Sequence, residues 1–295
     1  MHSLKWILFF LVILSTNAYA GNSTVFTLRG PETDFDIRQE YDNALFRLAL
    51  EKTRPEWGDY SIFVIPKMNL KRAFRSLENN TYTNLFFKTS ADNDLCAQYG
   101  FVNFPVDLGI VGYRVAFTSP AVNEKTRVIS QKDELLKLTL GQALMWEDTL
   151  ILREAGFTVF ETELYKPLFE MVAKNRFDLF PRGINEIKAE YESHSHLNNF
   201  MIEENIAIHY PLPRFFYTSR SNTKNIERIT QGLKLAFSDG SLLKLWKEYY
   251  QESVDLVNLN SRRFFCFKNP RINTIDTSYE KYFMAITPQH KRCSD

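Results

Sequence analysis

Short apolar runs alternate with stretches of helical period along most of this chain, and most clearly over residues 138–187. There the apolar runs 138–140, 157–160 and 177–180 are separated by amphipathic segments. That order predicts strand–helix–strand units and a parallel sheet. The N-terminal region repeats the pattern. Residues 24–29 alternate and predict a strand. Asp36 and Gln39 make an acceptable capping-box start for a helix whose stripe is Tyr41, Ala44, Leu45 and Leu48. A strand over 60–65, an amphipathic helix over 70–77 and a strand at 85–87 complete a second α/β unit.

Two stretches have a different character. Residues 105–119 carry Gly109 and Gly112 and then run extended through Val115 and Phe117. Residues 210–219 place Pro211 and Pro213 ahead of an aromatic strand. Both predict crossings, so the chain leaves one lobe, builds a second and returns. A helix over 225–237 follows, with Ile226, Ile229 and Leu233 on one face. Asp239-Gly240 is a turn, and Ser241 is the expected cap of another helix. The tail, 262–270 and 279–284, is expected to pack back on the first lobe. The predicted division is 21–108 with 219–295 as lobe one, and 109–218 as lobe two.

Charge changes the picture mainly by exclusion. The 36 basic residues nearly cancel the 35 acidic ones, so no basic surface for nucleic acid is expected. The first residues have the form of an export signal: Lys5, an apolar run over 6–14 that is too short for the ~20 residues of a membrane span, then Ala18-Tyr19-Ala20. Cleavage after Ala20 removes one Lys and no acid, leaving 36 − 1 = 35 basic against 35 acidic residues. An exported protein is expected. Of the three cysteines, Cys266 and Cys293 are placed to pair in an oxidising compartment. Three unpaired thiols, with Cys96, are the alternative.

Ligands of open α/β sheets sit beyond the carboxyl ends of the strands, at helix N-termini. Gly141-Gln142 followed by Trp146 and Asp148, and Pro181-Arg182-Gly183 followed by Glu186, fall at such ends. No serine elbow, HExxH, glycine-rich phosphate loop or CxxC is present, and isolated carboxylates such as Asp178 and Glu190 make no acid–base pair by themselves. No catalytic residue, metal ligand or cofactor is therefore expected.

In order and spacing, several stretches resemble the periplasmic solute-binding proteins of the amino-acid transport type, family 3, in a divergent branch. They are Asp36-x-Arg38-x-x-Tyr41, Gly109-Ile110-Val111-Gly112-Tyr113-Arg114-Val115, Gly141-Gln142 with Trp146-x-Asp148, Arg176-Phe177-Asp178-x-Phe180-Pro181-Arg182-Gly183, Tyr210-Pro211-x-Pro213, Gly232-Leu233 with Asp239-Gly240-Ser241, and Asn269-Pro270. The resemblance implies a two-lobed type II periplasmic-binding fold with two hinge crossings, each lobe a mostly parallel sheet flanked by helices. It also implies a monomeric periplasmic binding protein, and not an enzyme, that captures a small polar solute, an amino acid or related, for an ABC-type transporter. Members of the family usually grip the ligand carboxylate with an Arg just before the first crossing. Residues 90–105 contain neither Arg nor Lys.

That absence moves the expected anion contact to Arg182, whose fork suits a carboxylate or phosphate. The remaining expected ligand contacts are Arg29 and Glu32 in the loop after the first strand, and Arg114, Gln142, Trp146, Asp148 and Glu186 in lobe two. Each has an ordinary alternative: a solvated turn for Arg29 and Glu32, a core Trp146, a first-turn Asp148, or an internal pair of Arg182 with Glu186 or Glu190. Two other roles remain open for the scaffold, an exported dehydratase-like enzyme or an orphan sensory module.

Overall fold

A computed structural model describes residues 23–31, 38–144 and 146–287. The expected leader 1–20, Glu32, Asp36 and Cys293 lie outside the described residues. The first part of the chain runs β1 (Thr24–Leu28), α1 (Arg38–Trp57), β2 (Tyr60–Val64), α2 (Leu70–Glu78), β3 (Leu85–Ser90), α3 (Asn93–Gln98) and β4 (Gly100–Phe101). The second part runs β5 (Tyr113–Thr118), α4 (Pro120–Thr126), α5 (Lys132–Leu135), β6 (Thr139–Ala143), α6 (Glu147–Glu154), β7 (Thr158–Thr162), α7 (Pro167–Ala173), β8 (Phe180–Gly183), α8 (Ile187–His194), β9 (Met201–Ile202) and β10 (Ile206–His209). The chain then forms β11 (Arg214–Thr218), α9 (Thr223–Ser238), α10 (Ser241–Val257) and β12 (Arg263–Cys266).

Two sheets result. The first has the order β2-β1-β3-β11-β4, with β1 parallel to β2 and β3, and β11 antiparallel to its neighbours. The second has the order β12-β10-β5-β8, with β9 also on β5, and it meets the β6–β7 pair through a parallel bridge from Leu140 to Leu179. In both sheets the antiparallel strand beside the third parallel one arrives by a crossing, β11 in the first and β5 in the second. The two predicted crossings are therefore the segments that stitch the sheets together.

Local chemistry accounts for the elements. Asn69 caps α2 by accepting from the Arg72 N–H at 2.9 Å, and Ser119 caps α4, which Pro120 then opens at a position where no N–H is needed. Phe26, Phe46, Phe86 and Phe216 are fully buried, and Phe46 packs against the other three with ring centroids 5.2–5.6 Å apart. Such aromatic pairs each add ~0.5–1.5 kcal/mol beyond area burial. Helices α1 and α9 cover this core, and a Cβ at Gly232 of α9 would stand only 2.0 Å from the Ala49 carbonyl oxygen of α1. Glycine there costs helix propensity of ~1 kcal/mol but allows the two backbones to touch.

Two expectations are corrected. Ser241 is the first helical residue of α10, not its cap: the preceding Gly240 has φ 80°, and Asp239 accepts from the Ser241 N–H at 2.9 Å. The tail strand β12 pairs in parallel with β10, so it extends the second sheet and does not pack back on the first. Alternation specifies a strand, but the hydrogen-bonding edge it joins is blind to side-chain identity. Beyond β12 the tail does return to the first lobe, where Ile272, Ile275 and Tyr279 join the core containing Phe87, Phe215 and Tyr217.

Candidate functional site

The strand ends of the two sheets meet at a seam between the crossings, and its charged groups are bound to one another. Arg182, on β8, is 4% exposed. Its Nε and Nη2 donate to Glu190 at 2.8 and 2.6 Å, and Nη2 also reaches Glu186 at 2.8 Å. Its guanidinium lies 4.5 Å from the Trp146 ring centroid, 5.3 Å from Tyr165 and 5.4 Å from Phe180. Burial opposes the charge, but Glu186, Glu190 and Tyr165 outweigh it and hold the Arg182 proton more tightly than usual. Tyr165 donates to Glu190, and burial pushes its own phenol well above the ordinary range.

Arg114, on β5, forms a second group. It pairs with Asp148 at 2.6 Å and stands 5.5 Å from the Tyr210 ring. The Tyr210 hydroxyl donates to the same Asp148 oxygen. Gln142, at the end of β6, is fully buried and donates to the Pro181 carbonyl at 3.2 Å, while its Oε1 meets no donor among the described residues. A buried acceptor left in this way is the kind of position where a ligand donor would be favoured.

The two lobes also touch through charge. Arg214, which opens β11 of the first sheet, approaches Glu186 at 4.0 Å. On the first-lobe side Lys88 pairs with Asp42 and lies 3.8 Å from Asp107. Burial holds the Asp107 carboxyl above the usual carboxylate range, with Lys88 and Arg214 working against that rise.

The residues expected from sequence therefore divide into groups. Arg114 and Asp148 are brought into contact, as are Arg182, Glu186 and Trp146; Gln142 sits beside them through Pro181. Arg29 lies apart. It donates from Nη1 to the Met68 carbonyl at 3.0 Å and from its backbone to Phe86 at 3.2 Å, bracing the loops after β1 and β2. Glu32 lies outside the described residues. Sequence reading missed Arg214 and Tyr210 as seam residues. Their positions flank the prolines of the second crossing, which was the available signal. Cys96 is a free thiol, and Cys266 is disulfide-bonded. Among the described residues no helix is long and apolar enough to cross a membrane.

No family sequence model matches the chain, and no curated relative is detected by sequence. Solved structures are similar in fold. An ancestral arginine-binding protein bound to arginine superposes with TM-score 0.54 at 13% identity, covering 77% of this chain and 98% of its own. A Streptococcus mutans structure, described with glutathione import via GshT and the cystine ABC importer TcyBC, gives 0.55 at 13%, covering 78% and 95%. The BvgS periplasmic VFT2 domain of Bordetella pertussis gives 0.55 at 13%, covering 77% and 93%. The chain thus has the two-lobed type II fold of periplasmic binding proteins, an α/β architecture with each sheet flanked by helices.

Proposed function

We propose that this chain is an exported solute-binding protein that captures a small polar solute, an amino acid or related, at the seam between its lobes. The observation that carries this reading is the convergence of opposite charges from both lobes on one seam, with Arg214 of the first sheet facing Glu186 of the second at 4.0 Å. In the closed form these groups satisfy one another. A solute carrying ammonium, carboxylate or amide groups would exchange with those internal partners when a hinge motion parts the lobes. The fold shared with arginine-binding and import-related proteins supports the solute class and delivery to an ABC-type transporter. The seam carboxylates Asp148, Glu186 and Glu190 are each tied to an arginine, which favours binding over acid–base catalysis.

A thermal-shift screen of the mature protein against amino acids, small peptides, organic acids and polyamines tests the reading. One class is expected to raise the melting temperature. No shift from any class at millimolar concentration would count against solute capture. A sensory or orphan binding module on the same fold is the second reading. Recovery of a membrane permease with the solute-loaded protein would decide for transport.

A further inference from the structure

The tail does more than end the chain. After α10 it enters the second sheet as β12, then crosses back to the first lobe at Pro270. It is fastened to both crossings on the way. The Phe267 N–H donates to the His209 carbonyl at 2.8 Å, and Asn269 Nδ2 donates to Pro211 at 2.9 Å, both at the second crossing. The Met284 N–H donates to Leu108 at 3.0 Å at the first crossing. There Gly109 has φ +82°, and a Cβ on it would stand 2.8 Å from the Phe283 ring, so the tail fits against the hinge backbone itself.

Between these fastenings sits Arg271. Its Nη2 reaches Asp92 at 2.7 Å and its Nε reaches Glu147 at 2.8 Å. Asp92 caps α3 of the first lobe, and Glu147 lies in the first turn of α6 of the second. One guanidinium therefore joins carboxylates from opposite lobes. Its anchorage on the first lobe is dense: Asn93 accepts from the Thr274 hydroxyl at 2.7 Å and donates to Asn273 at 2.8 Å, and Tyr279 packs on Phe215 with centroids 5.2 Å apart. Among the described residues, a further interlobe ion pair of comparable length, Lys188–Glu252 at 2.9 Å, involves a carboxylate side chain 80% exposed and contributes little. A recess of about 350 Å³ opens beside Arg271, lined by Asp94 and Glu154.

We propose that residues 262–284 are a strap that latches the two lobes, with Arg271 as its bolt, so that the seam opens only when the Arg271–Glu147 contact parts. Removing the guanidinium leaves two carboxylates facing each other across the lobes, which favours separation. The strap would gate access to the solute site proposed above and rests on that reading only for its use, since the test needs no solute.

Hydrogen exchange of the full mature chain, followed by mass spectrometry alongside small-angle scattering, tests it. Arg271→Ala is expected to speed exchange of the crossing amides, those of residues 106–112 and of Tyr210 and Leu212, by about tenfold, the size of a charge-assisted contact, and to enlarge the radius of gyration. Amides of β1 and β3 should be unaffected. Glu147→Gln, which keeps shape and the Asp92 contact, should give the same pattern more weakly and is the deciding variant if Arg271→Ala does not fold. Arg271→Lys should restore part of the protection. Unchanged exchange at the crossings in both Arg271→Ala and Glu147→Gln overturns the proposal, as does an equal acceleration throughout the fold.

Discussion

Replacing Arg182 with Ala should unfold the protein far more readily than an ordinary ligand-contact substitution would. Its guanidinium is 4% exposed and is the shared partner of Glu186 and Glu190, whose side chains are 5% and 13% exposed. Removing one partner of a buried ion pair costs ~3–5 kcal/mol, because the charge left behind keeps its desolvation penalty. The three ring contacts add ~0.5–2 kcal/mol, part of which is already counted in the same burial. A loss of about 4 kcal/mol in urea unfolding free energy is expected, comparable to a large share of a typical ~5–15 kcal/mol total. Trp146 lies against Arg182, so its fluorescence reports the site, and far-ultraviolet circular dichroism reports the fold. The combined variant Arg182→Met, Glu186→Gln, Glu190→Gln removes the stranded charges and should recover more than half of the loss. A cost below about 1 kcal/mol for Arg182→Ala would refute the buried-network reasoning.

Two further outcomes concern titration. Burial and a hydrogen bond to Glu51 raise the Tyr60 phenol to about 12, and burial with Glu78 does the same for Tyr99. Raised phenols contribute stability that is present below the ordinary phenol value and is lost as pH climbs through about 12. Spectrophotometric titration should show this pair ionising late, and Tyr60→Phe should remove one late proton. At the acid end, hydrogen bonds from Lys52 and Ser241 lower Asp239 to about 2. Its contribution is present above the ordinary aspartate value and disappears as pH falls toward about 2, so Asp239→Asn should flatten the acid limb of the stability profile.

The alternating apolar runs made the strand–helix order legible because burial of one face requires that period, and the paired glycines and prolines marked the crossings. Residues 177–180 show the limit of the pattern. The ladder with β5 begins at Phe180, Leu179 makes only the parallel bridge to Leu140, and Phe177 is a buried lead-in that the same period cannot distinguish from strand. Charge partners were legible only when close in sequence, as with Arg182 and Glu186 one helical turn apart. Arg271 lies 179 positions from Asp92 and 124 from Glu147, and nothing local to any of them announces the contact. Arg29 stood at a strand end in the expected place, yet its side chain turned to the Met68 carbonyl, a choice set by the neighbouring loop. Edge pairing of β12 was equally hidden, since backbone hydrogen bonds carry no sequence signature.

Calorimetric titration of the solute that stabilises the protein, against the parent chain and against Arg114→Gln and Glu186→Gln, tests solute capture at the seam most directly. Binding should weaken at least about tenfold, ~1.4 kcal/mol, in both variants, because each removes a charged group that must exchange its internal partner for the solute. Unchanged affinity in both variants, or the absence of any binding solute, would contradict it.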